Sequence, residues 1–542
     1  MKLKINTLLF LCVLLAFILR FAGLESLSPP LNRDEAALGY NAYSLLETGK
    51  DEHGEPWPFS FKSIGDYKMP GYIYLSMVPI KLLGLTVFAT RFWSALSGVV
   101  AVVALWLLAK ELAFLLPKKL QTTLPFIASL LLAINPWHIH YSRIGFEANV
   151  NLSLFLWALL LTFWGIKKNK WWIGGSLLFV AMQFMYSSTF VFLPLFAAVS
   201  FILLVLLIKP KIQSWFYVSL SLVLLLIGST IAVKNVADVS KAKQSITVFS
   251  DPTTIDTFNH QRGYWQAKSL FVAKIWFNKY TYFGRIIASN YLRNFSPGFL
   301  FFNHVSHPWH TVPRQGFFYA LDGIFFILGF IVLATAYKKV SIKNRGLLLI
   351  FVSWLLLSPA ASAITVDAPH ATRSLYLIPI FVLFSSSGIL LLVDIVKQKR
   401  RMVAAFILCL YVVSFVRFAY LYLIVFPLHY DMSLFPRIEK VVSYLEAKDD
   451  TKTICFTEVS SSPYLYVLFY GKVNPELIQE EAQWKAPDTV GLTNIEKFGK
   501  YRFTEGNCSR ADYVVLRGKS TETAEIEFKY PKVGVEWSVI AN

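Results

Sequence analysis

A chain of 542 residues that is 55% hydrophobic, 16% aromatic and only 16% charged is too apolar for an ordinary soluble domain of that length. Its formal charge of +19 raises nucleic acid as a partner. The basic residues, however, fall in alternate gaps between apolar stretches, which excludes a nucleic-acid footprint and points to membrane topology.

The first apolar stretch, near residues 7–24, follows Met1-Lys2-Leu3-Lys4. A charged start and an apolar middle also describe a signal peptide, but Leu19-Arg20-Phe21-Ala22-Gly23-Leu24 is too bulky for a cleavage site, so the segment reads as a retained helix. Further stretches, each long enough to cross roughly 30 Å of hydrocarbon, lie near 89–109, 122–138, 149–166, 171–188, 189–208, 214–233, 317–337, 346–365, 374–396 and 402–426. The pattern predicts a polytopic α-helical membrane protein with about eleven transmembrane helices. With the N-terminus cytoplasmic, pairs such as Lys118 and Lys119, Lys167 and Lys168, Lys338 and Lys339, and Arg400 and Arg401 all stay inside, against Arg143 and Arg373 in short outer loops. Three long segments then lie outside: 25–88, 234–316 and everything after 427.

In the first of these, Asn32-Arg33-Asp34-Glu35 sets two adjacent carboxylates beyond the end of the first helix. Such an acid near low-dielectric surroundings can serve as a general base or hold a metal. The competing reading is that Asp34 caps a helix that Glu35 favours electrostatically. Gly65-Asp66-Tyr67-Lys68-Met69-Pro70 follows, then an apolar run from Gly71 to Gly84 too short to span, which predicts a helix lying at the interface.

Tyr141-Ser142-Arg143-Ile144-Gly145-Phe146-Glu147 occupies the outer junction between the third and fourth apolar stretches. The second long loop mixes Trp, Tyr and Phe with Lys and Arg, a composition suited to the headgroup level. It also holds His304, His307 and His310; three imidazoles can bind zinc, but their spacing suits no single helical face and Pro308 interrupts it. The expectation is no cofactor, a divalent metal being the reading not favoured. Asp367-Ala368-Pro369-His370-Ala371-Thr372-Arg373 fills another outer junction, and Arg417 sits within the last stretch, where it must face the bundle or a lipid phosphate.

From 436 the pattern changes to that of a small α/β domain: an amphipathic helix (Arg437 to Lys448), a strand (Thr453 to Thr457), an aromatic helix or strand (Tyr464 to Tyr470) and late strands (Tyr513 to Leu516, Val533 to Ile540). The expected division is thus a membrane domain over 1–426 and an extracytoplasmic α/β domain over 427–542. Cys455 and Cys508 fall in the latter, either as a disulfide or as two buried thiols.

The acidic pair after the first helix, the Tyr67-Lys68-x-Pro70 segment, the Ala89-Thr90-Arg91-Phe92-Trp93-Ser94-Ala95-Leu96 start of the second stretch and the Arg143-x-x-x-Glu147 turn resemble membrane glycosyltransferases of the GT-C superfamily. Within it, the chain looks like the protein O-mannosyltransferase and lipid A aminoarabinose transferase group. The likeness covers roughly the first 210 residues, and the later helices by topology and the Arg373 region. It implies a GT-C-like fold, a polyprenyl-phosphate-linked sugar donor, an outer cavity and no nucleotide sugar. It carries Asp34 onto the catalytic acid, Glu147 onto the second acid and Lys68 onto the loop lysine near the donor phosphate. Lys68-Met69-Pro70 departs from the usual Lys-Pro-Pro, and Glu147 stands where Asp is common.

The chemistry asks for the same residue types. Displacing a lipid phosphate from an anomeric carbon needs a base on one side and cations on the other. Asp34 suits the base, with Glu35 and Glu147 the further acids; Lys68, Arg143, His370 and Arg373 suit the phosphate, with Tyr67 beside them. Headgroup contacts or loop ion pairs are the plainer duties for these cations. The expected partners are the lipid-linked donor, an unidentified acceptor and membrane lipids. A flippase for a lipid-linked sugar is the alternative, but repeated halves and polar mid-membrane helices, its usual marks, are not evident.

Overall fold

The computed structural model describes residues 5–64, 66–244, 246–302, 308–428, 434–460, 462–486, 493–530 and 534–542. By length and composition, eight helices among the described residues can cross a membrane: Val87–Leu115, Glu147–Gly165, Thr189–Ile208, Ile212–Asn235, Ala320–Tyr337, Ile342–Ala363, Leu377–Ile395 and Lys397–Leu428. Shorter apolar helices, Ile5–Phe21, Leu124–Ile134 and Trp171–Met182, stand at the three remaining predicted positions. The second of these stops early because Asn135-Pro136 interrupts it: Asn135 is extended, and a new helix starts at Pro136.

The contacts divide the chain into two compact units, one of Met1–Ala22, Ser94–Ser142 and Glu147–Leu421, the other of Gly23–Trp93, Arg143–Phe146 and Tyr422–Asn542. In the helical unit, Leu377–Ile395 is buried along most of its length, and packs against Ala320–Tyr337 where Gly329 and Gly388 let the backbones meet. Arg20, fully buried in α1 (Ile5–Phe21), donates to the carbonyls of Ala16, Ala133 and Leu132 and to His138 Nδ1 at 2.7 Å. Leu132 and Ala133 lie in the last turn of Leu124–Ile134, so the guanidinium bonds carbonyls at the break after Ile134. Arg417 faces protein, with Gln315 Oε1 at 3.0 Å and the Arg314 carbonyl at 2.7 Å. The segment 234–316 is largely helical, through Ala237–Gln244, Pro252–Lys268, Leu270–Trp276, Lys279–Arg293 and Pro297–Phe301.

The other unit joins the segment after α1 to the C-terminal residues. Helix α2 (Arg33–Thr48) is followed by a two-stranded hairpin, β1 (Phe61–Ser63) and β2 (Asp66–Lys68), and by α3 (Pro70–Leu83). The last of these is the short helix expected from Gly71 onward, with Tyr72, Ile73, Ser76 and Ile80 buried and Val78, Leu82 and Leu83 exposed. The C-terminal residues form a seven-stranded mixed sheet in the order β4-β5-β6-β3-β7-β9-β8. Its strands are β3 (Ile454–Phe456), β4 (Gln483–Trp484), β5 (Ile495–Phe498), β6 (Tyr501–Phe503), β7 (Tyr513–Arg517), β8 (Ile526–Tyr530) and β9 (Gly534–Ala541). A disulfide joins Cys455 to Cys508, which settles the two-thiol alternative.

Tyr464–Tyr470, ambiguous in sequence, is a helix buried on nearly every face. It lies against α2, where Gly39 makes room: a Cβ there would sit 2.6 Å from Phe469 and from Thr90 Oγ1. Tyr40 donates to the Val473 carbonyl at 3.0 Å, and Gln479 to Thr48 Oγ1 at 2.9 Å. These contacts group the loop 25–88 with the C-terminal residues, whereas the sequence-based division at 427 had placed it with the helices.

Candidate active site

At the start of α2 the backbone fixes which acid does what. Asn32 is the N-cap: its Oδ1 accepts the Glu35 amide at 2.9 Å, and Glu35 Oε2 accepts the Asn32 amide at 3.1 Å, a closed capping box. Asp34 is therefore not the cap, which removes the plain alternative raised for it. Glu35 carries a second load. Arg91 Nε and Nη2 donate to its two oxygens at 2.7 and 2.9 Å, and the Gly145 amide donates to Oε1 at 2.6 Å. Gly145 is small for a reason, since a Cβ would stand 3.3 Å from Glu35 Oε1 and 3.4 Å from the Tyr72 hydroxyl.

The neighbouring carboxylate faces outward. Asp34 is 37% exposed while Glu35 is 1% exposed, so only Asp34 is accessible to a substrate. Its partner is Lys68, whose Nζ lies 2.6 Å from Asp34 Oδ1 and 3.8 Å from Asp66 Oδ2. The hairpin delivers this lysine: β1 and β2 pair Phe61 with Lys68 and Ser63 with Asp66. Strand alternation puts Asp66 and Lys68 on one face and Tyr67 on the other, so Tyr67 is sequence-adjacent to the pair without sharing its face. Arg143, read as a candidate cation, is 4% exposed; it donates to the Gly23 carbonyl at 2.8 Å, with its guanidinium 5.8 Å from the Tyr422 ring centre.

The remaining candidates gather in the helical unit. Asp367 is ion-paired with Arg373, and His370 Nε2 lies 3.6 Å from Asp367 Oδ2. Arg373 Nη1 also donates to Thr365 Oγ1 at 2.9 Å. Glu147, the first residue of its helix, shares an electrostatic neighbourhood with Arg373 and Asp367 around Tyr186. The His310 ring stands 5.0 Å from that of His370, edge to face. His304 and His307 lie outside the described residues, among which no group of three or more potential metal ligands occurs.

Sequence reasoning quoted Arg91 and Asp66 without giving either a task. A guanidinium in the first turns of an otherwise apolar span was the available signal for Arg91, because such a charge needs a buried partner. Glu52 was passed over altogether. It is fully buried, and burial pushes its carboxyl up to about 8, with Asp51 adding to the rise and Ser63, Asn41 and Lys68 opposing it.

No family model and no curated protein matches this sequence. Solved structures do match its fold. The apo oligosaccharyltransferase of Archaeoglobus fulgidus superposes with a TM-score of 0.53 at 11% identity, over 94% of this chain and 65% of that one. The same organism's oligosaccharyltransferase AglB, in complex with an inhibitory peptide and a dolichol-phosphate, gives 0.51 at 12% identity, over 95% and 69%. ArnT from Cupriavidus metallidurans bound to undecaprenyl phosphate gives 0.42 at 11% identity, over 98% and 97%. This chain thus spans about 65% of the length of the first archaeal structure. At such identities the likeness to the two archaeal structures is one of fold alone.

Proposed function

We propose that the protein transfers a sugar from a polyprenyl-phosphate carrier to an acceptor at the outer face of the membrane, inverting the anomeric centre, with Asp34 as general base. The observation that carries this reading is the Asp34–Lys68 pair: an exposed carboxylate relieved of capping duty and held at 2.6 Å by a lysine on a separate hairpin. The GT-C fold is its context.

In the proposed reaction the acceptor loses a proton to Asp34 and its freed lone pair forms the bond to the anomeric carbon. The bond from that carbon to the carrier's phosphate oxygen breaks, and its electron pair leaves with the phosphate. Charge builds on the leaving oxygen through an oxocarbenium-like state, so a cation at the phosphate lowers the barrier. Lys68 is the proposed cation. While it is paired with Asp34 each neutralises the other; a phosphate that draws the ammonium away leaves the carboxylate able to accept a proton. By chemistry alone, Arg373 with its planar donor fork also suits a phosphate, and Glu147 suits orienting an acceptor.

The test has two arms. Purified protein in nanodiscs is given a panel of polyprenyl-phosphate hexoses and pentoses, and release of polyprenyl phosphate is followed. In parallel, envelope glycans are compared by mass spectrometry with the gene present, deleted, or replaced by Asp34→Asn. A glycan lost on deletion and restored by wild type alone supports the reading. Intact glycan transfer combined with lost movement of lipid-linked sugar across the bilayer would favour a flippase.

A further inference from the structure

The helical unit contains an apolar cavity that no residue of the proposed reaction lines. Its volume is about 110 Å³, and its walls come from Glu147–Gly165, Trp171–Met182, Thr189–Ile208, Ile212–Asn235 and Ile350. Thr189–Ile208 and Ile212–Asn235 follow one another in the chain but lean on different neighbours. Gly346 brings the first close to Ile342–Leu357, since a Cβ there would stand 2.8 Å from Ile208. Gly228 brings the second close to Trp171–Met182, since a Cβ there would stand 2.5 Å from Val180. The cavity takes up the space between them. Their other faces, with Ile202, Leu206, Leu226 and Ile227, are exposed and apolar, so in a bilayer they meet hydrocarbon.

The wall is not uniformly inert. Thr162 donates to the Ala158 carbonyl at 2.8 Å and Ser176 to the Ile173 carbonyl at 2.9 Å, the common way for a helical hydroxyl to be satisfied. Ser200 and Ser221, one on each of the two splayed helices, make no hydrogen bond through their hydroxyls among the described residues, and Trp172 Nε1 makes none either. An unsatisfied donor in apolar surroundings is costly, so this wall favours a guest that carries an acceptor oxygen. One end of the cavity is basic. Ile166 and Leu204, both in its wall, run into turns that carry Lys167, Lys168 and Lys170, then Lys209 and Lys211. Ser214 ties these turns together by donating to Asn169 Oδ1 at 2.8 Å. Lys167 is taken by Glu111 at 2.7 Å, whereas Lys168, Lys209 and Lys211 make no ion pair among the described residues.

We propose that this cleft binds an anionic phospholipid, with one acyl chain in the cavity and the headgroup phosphate on Lys168, Lys209 and Lys211. Lipid is the occupant that the surroundings select, because hydrocarbon bathes the exposed faces of the two outer helices and anionic headgroups concentrate beside lysines just beyond a span. A neutral lipid would suit the cavity but not the lysines; a soluble anion would suit the lysines but not the cavity. The size fits a short stretch of chain, since an apolar cavity of about 150 Å³ takes up benzene. The inference does not depend on the sugar-transfer reading. A lipid wedged between the two helices holds each against its own neighbour, whatever reaction the protein performs.

The test uses the full-length protein in phosphatidylcholine nanodiscs that contain phosphatidylglycerol with a photoreactive diazirine in one acyl chain, and cross-linked peptides are quantified by mass spectrometry. Labelling of residues 193–204 and 218–225 should exceed that of Arg400–Tyr420, in a span as exposed as Ile212–Asn235, by at least about threefold. Phosphatidylcholine with the same label should show no such preference. Ala197→Phe fills the cavity and changes no charge; Lys209→Gln combined with Lys211→Gln removes charge and leaves the cavity. Each should abolish the preference, while Arg400→Gln with Arg401→Gln, the same loss of charge in a different turn, should preserve it. Even labelling of all exposed helices in wild type overturns the proposal. So does equal preference for the two labelled lipids, which would mean a cavity blind to charge. A preference that survives Ala197→Phe also overturns it, since headgroups would then be drawn to the lysines with no chain in the cavity. The wild-type contrast between the two lipids decides even if a variant fails to fold.

Discussion

Glu35 grips Arg91 with both carboxylate oxygens, at 2.7 and 2.9 Å, in a place where neither side chain reaches solvent. The same carboxylate closes the N-terminal capping box of α2 and takes the Gly145 amide. Three separate segments of the chain thus converge on one acid. Removing its charge leaves a buried guanidinium uncompensated, and breaking a buried pair in this way costs about 3–5 kcal/mol. Glu35→Gln should therefore lower thermal stability strongly, measured as the fraction of protein surviving a heating series in detergent. The folded remainder should turn over within a few-fold of wild type. A variant of normal stability that has lost turnover would move Glu35 from scaffold to chemistry.

Lys68 offers the opposite profile. It is 13% exposed and paired with an acid that is itself accessible, so its removal opens no deep cavity and strands no buried charge. A charge-assisted hydrogen bond to phosphate contributes about 1.5–3 kcal/mol, which is roughly 10- to 100-fold in affinity. Lys68→Ala should weaken binding of a polyprenyl phosphate by that factor with unfolding temperature nearly unchanged. Wild-type affinity and kinetics in this variant would remove Lys68 from the site.

Long apolar runs were readable in sequence because a span needs nothing beyond some twenty residues of hydrocarbon-compatible side chains. The cap was read at Asp34, one signal short: Asn32-Arg33-Asp34-Glu35 has an amide side chain three positions before a Glu, the pattern that assigns capping to Asn32 and frees Asp34. What local pattern could not supply was partnership across the chain. Tyr40 meets Val473, and Gln479 meets Thr48, over separations of more than four hundred residues, so the docking of the first loop on the C-terminal residues left no periodic trace. Glu52 was hidden for the same reason. A Glu between Asp51 and His53-Gly54 reads as part of a solvated turn, and it is buried only once the chain has packed around it.

That burial has a consequence for stability against pH. The Glu52 carboxyl stands at about 8 in the folded protein, above its ordinary value of 4.5, so the folded state holds this proton more tightly than the unfolded chain does. Its stabilising contribution is complete below about 4.5 and is lost as pH rises through about 8. Resistance to heating should accordingly fall between pH 6 and pH 9. Glu52→Gln, which has no proton to lose, should flatten the fall and be the more stable protein at pH 9. Parallel curves for the two proteins would show that Glu52 does not bury a titrating proton.

Asp34 can be tested more sharply than any other residue here, because the reading it competed with has been removed by geometry. Had it capped α2, Asn would have replaced it at little cost, since Asn is as good a cap as Asp. The cap is Asn32, and Asp34 stands one position inside the first turn with its carboxylate on Lys68. Asp34→Asn keeps the size of the side chain and a hydrogen-bond acceptor but cannot take a proton at the pH of the reaction. If Asp34 is the general base, turnover should drop by about 10²- to 10⁴-fold. Folding should survive, because α2 keeps its cap and Glu35 keeps Arg91. Donor binding should also survive and could tighten, as Lys68 no longer has the Asp34 charge to hold it from a phosphate. Loss of binding together with turnover would mean that Asp34 acts by placing Lys68 and not by accepting a proton. Turnover within about threefold of wild type would refute both roles. Measuring sugar transfer and polyprenyl-phosphate affinity on the same purified preparation separates the three outcomes, since each one predicts a different pair of values.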